Sequence, residues 1–394
     1  MPDAGGSPEA QPAPRRARDL SLRDRILALR DRLIAKPGFQ RFASRFFLTR
    51  PLVRADAGAL FDLTAGFVYT QILDACVRLG LFDRLADGPV ETTTLAAEAN
   101  IPEPEMDRLL LAAEALRLVS RRSNGRWGLG RLGAAVNGTP GLHEMIRHHR
   151  LLYDDMRDPI ALLRSEGRGA ALNRYWTYAQ NGNSAELNAS QVAEYSTLMA
   201  VSQRMLSDDI LDAIRIERMD NLLDVGGGEG AFVIRAAERS RGCRLGLFDL
   251  PAVADLAKKR AEAAGQANRI ATFGGSFTED ELPSGFDTIS LIRVLYDHDD
   301  EMVARILQKA HASLPNGGTL IVAEPMDGTG DQARVGAAYF GFYLLAMRGG
   351  RARSPQRLRD LLADAGFDSI RTRTTAKPML VRVMTANAIK NRDG

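Results

Sequence analysis

Two cysteines in 394 residues leave almost nothing from which to build a disulfide framework. Cys76 and Cys243 lie far apart and without metal-ligand spacing, which predicts reduced thiols in a cytoplasmic protein. The five histidines (143, 148, 149, 298 and 311) show no metal-site pattern either, so no metal is expected. Long apolar runs are also missing: the longest, Val335 to Met347, lies between Arg334 and Arg348 and is too short to span a bilayer. The N-terminus is rich in Pro, Ala and Gly and lacks the apolar segment of a signal peptide. Net charge is small, 52 basic against 49 acidic side chains, which argues against a dedicated nucleic-acid binder. Lysine occurs only six times, so nearly all the positive charge is arginine, a bias that speaks of genome composition more than function.

What is present is enough apolar content, 45%, to bury a sizeable core in two domains. Residues 1–18 read as a disordered tail. A basic amphipathic arm follows over 19–54, with Leu22, Ile26, Leu29 and Leu33 at helical spacing among arginines and a break at Pro37-Gly38. The simpler reading of this arm is packing on a dimer partner. The other is a peripheral membrane contact, because apolar and basic faces together suit an anionic surface. Residues 55–140 read as helices closed by a hairpin at Asn124-Gly125, the plan of a winged-helix-like domain. No predicted recognition helix carries a base-reading cluster, so dimerisation is expected and nucleic acid is not. The linker 141–215 is helical and rich in aromatics and methionines (Tyr153, Met156, Tyr175, Trp176, Tyr178, Tyr195, Met199, Met205), where a substrate cleft would form.

From residue 216 strands and helices alternate, which predicts an α/β, Rossmann-like doubly wound sheet. Strands are expected at 221–225, 245–248, 270–274, 288–295 and 318–323, with a closing pair at 369–374 and 379–385. The first strand runs into Asp224-Val-Gly-Gly-Gly-Glu-Gly230, a glycine loop that opens a helix. Read as Gly226-x-Gly228-x-x-Ala231, the loop could pass for a dinucleotide fingerprint, so the glycines alone decide little. The charges decide more. Asp224 before the loop and Glu229 within it would repel a pyrophosphate but suit S-adenosyl-L-methionine, whose ammonium and sulfonium are both positive. Asp249, ending the second strand, is placed for ribose hydroxyls. At the fourth strand an extended backbone would put Tyr296 and His298 on one face, and Asp299 and Asp300 would cap the next helix.

These residues resemble a known family, the two-domain S-adenosylmethionine-dependent O-methyltransferases with a winged-helix-like dimerisation domain. The resemblance runs from about Ala57 to Thr385, on LGLFD (79–83), LLDVGGGEGAF (222–232), FDLP (248–251), GGSF (274–277), RVLYDHDDE (293–301), AEP (323–325) and DAGF (364–367). It implies that Gly226, Gly228 and Gly230 cradle the methionine part of the cofactor and that Asp249 holds the ribose. Ser276, Phe277 and Arg293 would lie around the adenine or the strand-4 side. Tyr296 stands where many members carry a proton-accepting histidine, and Ser276 where many carry aspartate. His298 is therefore expected as proton acceptor, with Tyr296 and Glu324 orienting it. Within the family, HHRLLYDDMRDPIALL (148–163), the arm at 23–50 and YFGFYLLAMRGGR (339–351) resemble the acyclic carotenoid O-methyltransferases of purple phototrophic bacteria. That implies a homodimer acting on a lipophilic small molecule, a tertiary 1-hydroxyl on a polyene, in the cytoplasm or peripherally at the inner photosynthetic membrane. A methyltransferase of bacteriochlorophyll-type rings, or of another small molecule, is the alternative enzyme. A winged-helix regulator sensing the cofactor is the non-enzyme alternative, against which the near-neutral charge counts.

Overall fold

The structure is a computed structural model that describes residues 21–174, 206–328 and 334–390. The expected tail at 1–18, and Tyr175, Trp176, Tyr178, Tyr195, Met199 and Met205 of the linker, lie outside the described residues. The chain divides into two compact units, Met1–Ile72 and Leu73–Gly394.

In the first unit, α1 (Leu22–Ile34) begins where the Ser21 hydroxyl accepts the Asp24 N–H. It stops before Pro37, which starts α2 (Pro37–Arg45) because a proline is tolerated only in a helix's first turn. The arm is therefore two short helices, the second nucleated at the dipeptide that ends the first. α3 (Arg50–Arg78) then runs for 29 residues into the second unit. By length and composition it is the one described helix apolar enough to cross a membrane. Counting consecutive apolar residues misses it because Arg54, Asp56 and Asp62 interrupt the run.

The second unit begins with the end of α3, which Gly80 terminates in the left-handed conformation that glycine adopts without strain. α4 (Leu81–Ala86), α5 (Thr92–Ala99) and α6 (Glu103–Ala115) lead into the antiparallel pair β1 (Val119–Arg121) and β2 (Trp127–Leu129). The hairpin turns at Asn124-Gly125, both at positive φ. Trp127 anchors it: the ring is fully buried, and its Nε1–H donates to the Thr92 hydroxyl at 2.9 Å. α7 (Arg131–Gly138), α8 (Leu142–Asp155) and α9 (Pro159–Arg164) follow.

A helix over 206–214 precedes a seven-stranded sheet in the order β5-β4-β3-β6-β7-β9-β8. Its strands are β3 (Asn221–Val225), β4 (Arg244–Asp249), β5 (Ile270–Gly274), β6 (Thr288–Ile292), β7 (Thr319–Glu324), β8 (Phe367–Arg373) and β9 (Arg382–Ala388). β3 to β7 are parallel, whereas β9 is antiparallel to β7 and to β8. The strands are apolar on both sides: Leu223, Leu291 and Val322 enter one core, and Leu222, Leu247 and Ile321 the other. Each such fully buried side chain contributes about 1.5–3 kcal/mol. The order reverses between β3 and β6, and ligands of open α/β sheets bind beyond the strand ends at that point.

One expected element is shorter than its sequence suggested. β6 ends at Ile292, not 295, because Arg293 turns to φ 57 and a 3₁₀ turn covers Leu295–Asp297. The apolar residues 294–295 look like strand, but the amides of Leu295 and Tyr296 are taken by the Glu324 side chain. Trp127→Ala should lower stability by about 3–5 kcal/mol in a denaturant melt, since it empties the centre of the hairpin packing and leaves Thr92 without its donor.

Candidate active site

The loop after β3 shows why its glycines are needed. Gly226 sits at φ 69, and a Cβ there would come within 2.7 Å of Val294 Cγ2. A Cβ on Gly227 would meet the Asp224 carboxylate at 2.8 Å. Gly230, at φ 84, caps the helix α10 (Ala231–Arg239). Beneath the loop, Asp224 is fully buried, and its Oδ1 accepts the Ser290 hydroxyl from the paired strand at 2.6 Å. Its Oδ2 has no hydrogen-bond partner. A buried carboxylate oxygen without a donor is costly unless a ligand supplies one. Asp249, ending β4, accepts the Gly228 N–H at 2.8 Å and the Leu250 N–H at 2.7 Å, which joins the second strand end to the loop.

These features fit S-adenosylmethionine: an unpaired acid for a cation and a carboxylate at the loop's rim for hydroxyls. Glu229 does not join them. It is ion-paired with Arg260, so the acidic character of the loop rests on Asp224 and Asp249. Phe277 packs where a Cβ on Gly226 would be 3.4 Å from its ring. Ser276 is engaged locally, its hydroxyl 2.8 Å from that of Thr278 and its N–H donating to Asp280.

Beyond β6 the expected arrangement needs correction. With the strand ended at Ile292, Tyr296 and His298 do not share the face of an extended segment. Tyr296 is buried and its hydroxyl accepts from Arg293 Nη2 at 3.0 Å. Arg293 thus lies on the strand-4 side, the second of its two expected places, with its guanidinium on Tyr296. Glu324 does not orient His298; its two oxygens accept the N–H groups of Leu295 (2.8 Å) and Tyr296 (3.0 Å). Burial pushes the Glu324 carboxyl up to about 8, and the neighbouring Asp297 adds to the rise. The His298 ring lies edge-on to Phe277 at 5.7 Å, on the side of the glycine loop, and burial lowers its pKa. Buried Arg353 completes the clamp, bonding Asp300, the Leu295 carbonyl and the His298 carbonyl. Asp299 caps the next helix, α11 (Asp300–Ser313), through the Met302 N–H, as expected, whereas Asp300 pairs with Arg353 and Arg357.

Two histidines without an assigned role also belong here. On α8, His148 Nε2 lies 2.9 Å from the Tyr343 hydroxyl and His149 Nε2 lies 2.8 Å from the Tyr339 hydroxyl. The tyrosines come from the π-helical stretch Arg334–Phe340 and from α12 (Gly341–Met347). Phe340 bridges Tyr339 to Tyr296, with ring centroids 4.9 and 6.2 Å away. Their signal was HH in α8 matched by YxxxY at 339–343, a pairing that only the tertiary fold reveals.

The architecture is that of S-adenosylmethionine-dependent methyltransferases. The apo structure of the methyltransferase SibL matches with a TM-score of 0.72 at 22% identity, covering 84% of this chain and 99% of that one. Human N-acetylserotonin methyltransferase in complex with SAM matches at 0.68 and 23%, covering 85% and 98%. Residues 155–368 match the model of the O-methyltransferase domain, and 61–136 that of the O-methyltransferase dimerisation domain. The chain belongs to this O-methyltransferase family, uses S-adenosylmethionine and pairs with a second copy of itself. Among its relatives is the demethylspheroidene O-methyltransferase of Cereibacter sphaeroides, 40% identical over 348 residues, 88% of this chain and 91% of that protein. The Rhodobacter capsulatus enzyme of the same name is 38% identical over 87% and 85%.

Burial pushes Asp224 up to about 7, helped by the nearby Asp249 and opposed by the Ser290 hydrogen bond. A folded-state value above the ordinary 3.8 means that between about pH 4 and 7 the folded chain keeps a proton that the unfolded chain has lost. Stability from this group is therefore complete at about pH 4 and declines as pH rises to about 7, by up to about 4 kcal/mol. Without cofactor, Asp224→Asn should be more stable than the parent at pH 8 and little different at pH 4, as read by denaturant melts. An equal difference at both pH values would contradict the assignment.

Proposed function

We propose that the enzyme methylates a hydroxyl of an acyclic carotenoid of the demethylspheroidene type, turning a tertiary 1-hydroxyl into a methoxy group. The observation that carries this is similarity to two demethylspheroidene O-methyltransferases along nearly the whole of each chain. Such a substrate dissolves in lipid, so the reading places the enzyme at the cytoplasmic surface of a membrane.

S-adenosylmethionine, when bound, supplies an electrophilic methyl group on sulfur. In our reading Asp249 holds the ribose hydroxyls, Asp224 faces the cationic part, and the amides of Gly226–Gly230 line the methionine moiety. Phe277 and His298 flank the adenine side. The remaining task is to hold the substrate oxygen in line and to take its proton. Tyr339 and His149 suit the proton better than His298. The His149 Nδ1–H donates to the Met145 carbonyl at 2.6 Å, which leaves Nε2 as an acceptor for the Tyr339 hydroxyl. Burial lowers the His149 pKa, so the ring is neutral and able to accept near pH 7. The substrate proton would pass to the Tyr339 oxygen as the Tyr339 proton passes to Nε2 of His149.

Incubation with S-adenosylmethionine and a 1-hydroxylated acyclic carotenoid should yield the methoxy product by mass spectrometry. Methylation of a bacteriochlorophyll-type ring in its place would establish the alternative. Tyr339→Phe and His149→Gln should each reduce kcat by about 10²-fold with folding intact. His298→Gln should act mainly on the KM for cofactor. A fully active Tyr339→Phe beside a dead His298→Gln with unchanged cofactor KM would return the proton to His298.

A further inference from the structure

The two helices ahead of the family's shared body have a surface that neither domain model explains. The dimerisation model begins at residue 61, and α1 and α2 end at Arg45. α1 buries no residue at all. Leu22, Ile26, Leu29 and Leu33 form one stripe along it, and Leu22 is 74% exposed. At 100° per residue, Arg23 and Arg30 fall on one flank of that stripe and Arg25 and Arg32 on the other. In α2, Phe39, Phe42 and the following Phe46 line one side while Arg41 and Arg45 line the opposite one. Phe42 and Phe46 stack at 5.5 Å, and Phe47, 73% exposed, packs edge-on to Phe46. α1 is tied to α2 by Gln40 Nε2 donating to the Ile34 carbonyl, and the end of α2 is closed by the Thr49 hydroxyl donating to the Ala43 carbonyl.

Charge is segregated to match. Residues 21–54 hold nine basic side chains and two acidic ones, a net +7, whereas the whole chain carries +3. The other residues together are therefore at −4. An apolar stripe flanked on both sides by arginines is the geometry in which guanidinium groups reach the headgroups while the stripe enters the acyl boundary. Pairing two such arms would instead set +7 against +7. The apolar residues Leu60, Phe61, Leu63, Phe67 and Val68 of α3 differ: they lie at the start of the dimerisation model, with only Asp62 charged between 57 and 73, and suit the second copy.

We propose that α1 and α2 dock the enzyme on the anionic surface of a lipid bilayer, lying in its plane. The inference is in keeping with a lipid-dissolved substrate but rests on the arm's own charge and exposure, and its test involves no turnover.

The full-length protein should co-sediment with vesicles of phosphatidylcholine and phosphatidylglycerol and much less with phosphatidylcholine alone. Raised salt should release it. Replacing Arg23, Arg25, Arg41 and Arg45 together by Gln should weaken vesicle partition by about 100-fold or more. Phe42→Ser with Phe47→Ser should weaken it at unchanged charge, which a purely electrostatic contact would not show. Both variants should remain dimers by light scattering and keep cofactor affinity, which checks their folding. Absence of binding to anionic vesicles would overturn the proposal. So would dissociation of the dimer in the Phe variant, which would assign the arm to the second copy, or retention of DNA on a filter without vesicle binding. Because no substrate is present, failure here leaves the carotenoid reading standing, and failure of that reading leaves vesicle binding intact.

Discussion

A single buried carboxylate constrains the centre of the sheet. Asp224 sits at the end of β3 with one oxygen held by Ser290 of β6 and the other unpaired. In a low-dielectric interior such an oxygen either takes a proton or waits for a positive ligand. The residues around it follow from that choice. A side chain at 227 would press on the carboxylate, so glycine is required, and Gly226 must leave room for Val294 from the turn after β6. Asp249 ties the loop's Gly228 amide to the neighbouring strand end. The topological switch point between β3 and β6 is where these contacts converge.

The second element, the turn at 293–298, is held by a different device. Glu324 on β7 takes the amides of residues 295 and 296, Arg353 takes the carbonyls of 295 and 298, and a Cβ on Gly350 would collide with the Tyr296 carbonyl. The turn therefore owes its shape to residues 26 to 60 positions downstream of its own, and it divides the site in two. His298 leaves on the Phe277 side, next to the glycine loop, whereas Arg293 and Tyr296 face the aromatic helices at 334–347.

That division explains what could be read from the chain alone. The glycine loop and its acids are local in sequence, so their place on strand, loop and helix was legible, as were the parallel strands, whose apolar runs are bounded by turn residues. Even there Glu229 misled, because its partner Arg260 lies on the next crossover helix. The end of β6 was not legible: Val294 and Leu295 continue an apolar strand pattern, and only a distant carboxylate stops it. His149 and Tyr339 are 190 positions apart, and no spacing rule joins them. The arm shows the reverse case. Its amphipathic pattern and its break at Pro37-Gly38 were plain, but the start of a second helix at that dipeptide and the exposure of the apolar stripe emerge only from the structure.

We propose that the acids at the ends of β3 and β4 make the loop a site for a cationic, ribose-bearing cofactor. Calorimetric titration of S-adenosylmethionine into the enzyme and into Asp249→Ala tests it most directly, with melting curves to confirm that both are folded. Loss of a carboxylate that accepts hydrogen bonds from ribose hydroxyls should weaken binding by about tenfold or more. Unchanged affinity in a folded Asp249→Ala protein would contradict the account.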